Sequence, residues 1–448
     1  MGGHRPLLSI PRGGAVFFTL ALVLCACSGP SASMRRQLNA DLAAGKYDKA
    51  EAKIEGAKLS SYGEKNQVLY YLDLGAVLHD GGKYKESDQN LALAERRMDE
   101  LYTKSVSKEA GRFLLNDNTV EYAGERFERA LVNVYRALDY LLGGDKENAL
   151  VEIRKLSRLL QEYSDRYGAS RTAYKDDAFA QYLSGLLYAD GGQDDDARIA
   201  LRDAARAYKN YAAVYGTTPP SLTGPDVPDG DGELIFLHAN GTGPRKESRS
   251  LQVAWNEAVA AVNSTKNDEA QSGQARNALR AGVLGHAITI AYPVFVSDPY
   301  RIASSEIESD GRSAATGLVE DVTAIARKDL DERQALIKTR AVARAAIKYI
   351  LAKAATDEVR RKYGDNSLQA IASQIATAAL SAATEVADTR SWATLPAQFR
   401  MARLALPAGA HDVVVNYRDA AGAVILTRTF HVTIRKGERA YLQDRTAL

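Results

Sequence analysis

Residues Glu121 to Leu160 read EYAGERFERALVNVYRALDYLLGGDKENALVEIRKLSRLL. Within them Phe127, Leu131, Val134, Tyr135, Leu138 and Leu141 recur at the spacing of one helical face, and Ala149, Ile153, Leu156 and Leu160 resume it after a break. The break is Gly143-Gly144, which offers positive-φ positions to end one helix. Asp145 follows, a residue whose carboxylate caps the next helix by accepting a backbone N–H. Two amphipathic helices folded back on each other are predicted, and neither can bury its apolar stripe alone.

The same pattern recurs on both sides. Tyr71, Leu74, Gly75, Leu78, Gly82, Tyr84, Leu91 and Ala94 form one copy, with Ser87 at a second-helix position where alanine is usual. Gly185, Tyr188, Gly192, Ala197, Leu201 and Ala204 form another, and Leu42 to Ala57 supplies a half copy. These small and large positions resemble tetratricopeptide repeats, but their spacing is uneven where a regular solenoid keeps about 34 residues. An irregular helical array over residues 35–215 is predicted, able to fold without the rest. Stacked helix pairs share a continuous core and present one concave surface. Tyr122, Phe127, Tyr135, Tyr182 and Tyr188 are the candidates for an aromatic groove on that surface. Aromatics at helical spacing are also what a core face supplies, and burial separates the two readings.

The N-terminus reads as a processing segment. Arg5 and Arg12 precede an apolar run, Gly14 to Leu24, shorter than the roughly 20 residues needed to span a bilayer. The run ends in Leu24-Cys25-Ala26-Cys27, which resembles a bacterial lipobox. The resemblance implies a signal peptide over 1–26, lipidation at Cys27 and a tether over 27–34. Ser28, rather than aspartate, follows the cysteine, so an outer-membrane anchor facing the periplasm is expected. Both cysteines of the chain lie in this segment, and no disulfide is expected beyond it.

Composition is that of an ordinary globular protein, 46% hydrophobic and 25% charged over 448 residues. The formal charge of +2 arises in the leader, so the remainder is neutral. A neutral chain has no excess of bases to neutralise phosphates, and nucleic acid is not an expected partner.

Residues 216–232 contain TTPPSLTGPDVPDGD, a Pro- and Gly-rich linker. Beyond it the period changes. Glu233 to Ala239, Ala287 to Val296 and Arg301 to Glu308 read as strands, with Pro293 marking an edge or a bulge. Helices are expected over Thr316 to Ala355 and Leu368 to Val386. The first carries Arg340, Arg344 and Lys348 as a basic stripe, readable as a lipid contact or as a plain solvated face. Residues 233–398 are therefore a region of strands with inserted long helices. Residues 399–448 form a terminal β module, with strands over Phe399 to Leu406, Asp412 to Tyr417, Val424 to Ile434 and Arg439 to Gln443. Its LPAGAHDVVV and FHVTIRKGERAYL segments resemble small β-sandwich modules of the PEGA type. The fold class expected is α+β.

The hub, ITIAYPVF, RAVARAAIKYILAK and ADTRSWATLP followed by LPAGAH together resemble a family of uncharacterised bacterial outer-membrane lipoproteins with tetratricopeptide-like repeats. The resemblance implies an envelope role, because relatives tend to be encoded near small lipoproteins similar to activators of peptidoglycan synthases. Catalytic motifs are missing: no Gly-rich phosphate loop, no Gly-x-Ser-x-Gly and no His-Glu-x-x-His occurs. The histidines show no ligand spacing, and neither metal nor cofactor is expected. Glu125, Glu128 and Glu152 could supply a carboxylate pair to a hydrolase. The leading expectation is a non-enzymatic, lipid-anchored periplasmic adaptor that binds envelope proteins through its repeats. A glycan- or peptidoglycan-binding role for the β region is the alternative.

Overall fold

The computed structural model describes residues 29–106, 120–167, 174, 176–254, 287–364 and 387–448. The expected signal peptide, Cys27 and the helix expected over 368–386 lie outside them. Among the described residues, eight helices pair as four successive hairpins: α1 (Ala32–Ala43) with α2 (Tyr47–Gly56), α3 (Gln67–Asp80) with α4 (Tyr84–Val106), α5 (Arg126–Leu142) with α6 (Lys146–Tyr167), and α7 (Ala178–Asp190) with α8 (Asp194–Tyr215). The tether is shorter than 27–34, because α1 starts at Ala32 and is capped by Ser31 Oγ.

The hub turn uses only its second glycine as a left-handed residue. Gly143 keeps a helical φ of −76° and Gly144 takes +86°, after which Asp145 Oδ1 accepts the Asn148 N–H at 3.0 Å. The repeat glycines inside the helices serve packing. A Cβ on Gly75 would lie 2.6 Å from Leu91, and one on Gly185 would lie 2.7 Å from Leu201. Glycine at the equivalent place in two hairpins thus lets the second helix seat a leucine against the first.

Ten strands follow. Sheet A has the order β10-β1-β7-β6, from β1 (Asp231–Asn240), β6 (Gly317–Glu320), β7 (Gln398–Pro407) and β10 (Arg439–Thr446). β1 runs parallel to β10 and antiparallel to β7. Sheet C is antiparallel, β5-β4-β8-β9, from β4 (Ser304–Ser309), β5 (Arg312–Ala315), β8 (Gly409–Arg418) and β9 (Val424–Ile434). A separate ribbon pairs β2 (Arg245–Ala254) with β3 (Ala287–Val296). In that ribbon Pro293 sits opposite Ser248, on a strand with a single partner, as its missing N–H requires.

Three layers result. Sheet A lies between the helices and sheet C, so β1 is buried on both faces, and its uninterrupted ELIFLHA run is the sequence mark of that position. Ile235, Leu237 and Ala239 join the helical core together with Phe295, Trp392, Phe399 and Met401. Leu234 and Phe236 point the other way and pack with Ile307, Val413, Val415 and Tyr417 of sheet C. The ninth helix, α9 (Val322–Tyr363), is capped by Asp321 Oδ1 and buries Val322, Ile325, Ala326 and Leu330 in the same helical core.

The fold is α+β, with four helical hairpins first and then the sheets, into whose strand order α9 is inserted between β6 and β7, but two expected divisions fail. The terminal β module of residues 399–448 is not a unit, since β1 from the preceding region sits between its β7 and β10. The helical region 35–215 does not bury its core by itself, because one apolar cluster runs from Met34 to Met401 across the Pro-rich linker. Sequence reading also missed β2, a polar strand, and expected helix where β6 forms. The basic stripe is not an open face, for Arg344 is buried while Arg340 is exposed.

Candidate functional site

The aromatic groove expected from the repeats is not on the surface. Tyr122, Phe127, Tyr135 and Tyr182 are all buried, each 3% exposed or less. Phe127 meets Phe295 at 5.7 Å between centroids, and Tyr135 meets Trp392 at 5.3 Å and Phe399 at 6.0 Å. Tyr182 Oη accepts from Arg403 Nη1 at 3.2 Å. Tyr188 alone is half-buried, and Arg154 Nε donates to its hydroxyl at 3.1 Å. The stripe faces sheet A and the loop before β7, so these rings are core, the outcome that their helical periodicity also allowed.

That loop, residues 387–397, is buried although it has no regular structure, and its backbone N–H groups must find acceptors. Two helix carboxylates supply them. Asp73 Oδ1 accepts from Ala393 N at 3.1 Å, Thr394 N at 3.2 Å and Thr394 Oγ1 at 3.0 Å, while its Oδ2 accepts from Tyr62 Oη at 2.8 Å. Glu128 Oε1 accepts from Trp392 N at 2.7 Å, and its Oε2 takes Tyr122 Oη at 2.6 Å and Glu125 N at 3.0 Å. Burial pushes Asp73 up to about 6. Burial and then the neighbouring Glu125 charge push Glu128 up to about 7. Burial would raise Glu125 as well, but Lys246 and Arg333, both in contact with it, hold it well below the usual carboxylate range. Arg390 closes the latch, donating to Val120 O at 2.9 Å and to Asp388 at 2.7 Å.

The three hub acids considered for hydrolysis are thereby occupied. Glu125 neutralises two cations and Glu128 caps backbone. Glu152 accepts from Arg136 at 3.2 Å, from Asn133 at 3.2 Å and from Lys155 at 2.8 Å. Among the described residues no group of three or more His, Cys, Asp or Glu is placed to hold a metal ion, and no helix is long and apolar enough to cross a membrane. The terminal strands offer no exposed aromatic platform for a glycan, since Tyr417 is fully buried and Phe430 half-buried.

What the array does present is a polar cleft of about 990 Å3 between α4, α5 and α6. Its lining carries four acids, Glu95, Asp99, Glu100 and Glu162, and four bases, Arg96, Arg129, Lys155 and Arg158, with both signs on α4 and on α6, and with Met98 and Leu159 supplying apolar lining. Arg129 is fixed on this wall, bonded to Asp99 at 2.7 Å and stacked over Tyr102 at 4.4 Å. Sequence reading missed the cleft by looking for aromatics. Its available signal was the density of both charge signs at i, i+3 and i, i+4 on facing helices.

No family model matches the chain, and neither a curated protein nor a solved structure matches it significantly.

Proposed function

We propose that the protein is a lipid-anchored adaptor of the bacterial cell envelope, tethered through Cys27 at the periplasmic face of the outer membrane. Its contact surface is the cleft between α4, α5 and α6, and the occupant is an extended segment of a partner protein carrying both charge signs. The cleft carries this reading: it is large, and its lining intersperses four acids with four bases. Such a lining complements a mixed-charge peptide and gives a polyanion no excess of bases. The likeness to envelope lipoproteins supports partners among the machinery of peptidoglycan synthesis.

A photo-crosslinking residue in place of Arg96 is expected to capture discrete protein partners in whole envelopes, and one in place of Ile199, an exposed position on α8, is not. Arg96→Glu combined with Arg158→Glu should weaken that recovery by about tenfold or more, the effect of losing central arginines of an interface. Equal capture from both positions, or recovery unchanged by the double reversal, refutes the cleft as the contact surface.

The anchor has its own test. Two or more acyl chains are needed for stable attachment, so Cys27→Ser should release the protein in soluble form into the periplasm. A variant that stays with the membrane after normal processing of its precursor removes Cys27 from the proposal.

A further inference from the structure

The described residues begin at Gly29, two positions after Cys27, and two residues span about 7 Å at most. Acyl chains on Cys27 would therefore hold Gly29 close to the lipid headgroups. The end of the protein that surrounds Gly29 is then the end that meets the bilayer.

Topology decides which residues share that end. α1 and α2 form a hairpin, so the start of α1 and the end of α2 lie together, and the connection from α2 to α3 stays beside them. Contacts agree. A Cβ on Gly29 would lie 3.6 Å from Leu69, and Lys58 Nζ lies 4.7 Å from the ring centre of Tyr70, the next residue in the first turn of α3.

That connection presents Leu59, 87% exposed and the most exposed large hydrophobic side chain among the described residues. Leu59 sits on a single π-helical turn, Lys58–Tyr62, which is fixed from beneath. Tyr62 is buried, packs edge-on against Tyr70 at 5.6 Å and donates to Asp73 Oδ2 at 2.8 Å. Its carbonyl accepts from Asn66 Nδ2 at 2.7 Å. The leucine is thus held outward by a braced turn. Lys58 and Lys65 are both exposed, and Glu64 is the single acid from 58 to 65.

A scattered surface leucine needs no explanation of its own. Beside a lipid anchor it acquires one. A single leucine cannot hold a protein on a membrane, but an anchor keeps the body at the surface, where one contact is enough to set its orientation. Lysines suit the same place, because their stems lie along apolar surface while the ammonium groups reach lipid phosphates. We infer that the turn Lys58–Tyr62 is a bilayer-docking tip, in which Leu59 enters the headgroup boundary beside the anchored N-terminus and fixes which end of the helical array faces the membrane. The inference rests on the lipidation at Cys27 proposed above.

A diazirine analogue of leucine at position 59 of the full-length protein, irradiated in whole envelopes, tests it. The same analogue in place of Ile199, exposed on α8, is the control, and membrane flotation is run on both. The protein is expected to float with membranes and to yield phospholipid adducts, detected by mass spectrometry, at position 59 and not at 199. Three results overturn the docking tip and leave the anchor standing: a floating protein without lipid adducts at 59, one with protein adducts there instead, and one with equal lipid adducts at both positions. A chain that carries no lipid at Cys27 and does not float removes the anchor, and the tip falls with it.

Discussion

Replacing Trp392 by alanine is expected to lower stability by about 3 to 5 kcal/mol, the usual loss for a large aromatic removed from a packed core. Trp392 is 1% exposed, its ring is tilted against Tyr135, and its Nε1 donates to Thr394 Oγ1 at 3.0 Å. The loss would be a large share of the roughly 5 to 15 kcal/mol that holds a typical domain folded. Because Trp392 belongs to the cluster shared by helices and sheet A, both regions should weaken together. Calorimetry should show the same transitions as the parent moved to lower temperature. A variant in which the strands melt early while the helices keep the parent's transition would show two independent cores and contradict the shared one.

The second large effect concerns Asp73. Asp73→Ala leaves the N–H groups of Ala393 and Thr394 and the hydroxyl of Tyr62 without their acceptor. At about 1 to 3 kcal/mol for each buried unsatisfied group, a loss of about 3 kcal/mol or more is expected. Asp73→Asn should be far milder, since an amide oxygen can take the place of Oδ1 and the amide nitrogen can donate to Tyr62 Oη.

The same pair tests the charge. Burial raises Asp73 to about 6, above the roughly 3.9 of an unfolded chain. The native state therefore holds more protons than the unfolded state between those values, and stability falls as pH rises through that window. The fall attributable to Asp73 is about 3 kcal/mol at most. Asparagine removes it, so urea midpoints of Asp73→Asn should decline less than the parent's between pH 4 and pH 6. Parallel profiles would show that Asp73 keeps an ordinary pKa and that its hydrogen bonds outweigh its burial.

Much of the local structure was legible from the chain. Glycines at the hairpin turns, the 3.6-residue rhythm of the hub and the short alternating runs after residue 399 report interactions between near neighbours, and those are encoded within a few residues. The buried run of β1 was legible for the same reason. β2 was not, because its alternation of charged and polar residues lacks an apolar face. The site was less legible still. The cleft between α4, α5 and α6 is made of side chains on three helices: α4 and α6 by themselves show only charged outer faces, and α5 reads as a core helix that buries Arg129 and Asn133.

The sequence by itself determined the helical hairpins, the strands at the end of the chain, the small net charge of +2 and the resemblance of the N-terminal segment to a lipoprotein signal. Only the tertiary structure decided that Tyr122, Phe127, Tyr135 and Tyr182 are core and that the strands belong to interleaved sheets. It also revealed that the ADTRSWATLP segment is a latch. The reason is distance along the chain: Glu128 meets Trp392 across 264 residues and Asp73 meets Thr394 across 321. A periodicity says that a face is buried, but the partner that buries it is chosen by packing over the whole chain, and no local pattern carries that choice.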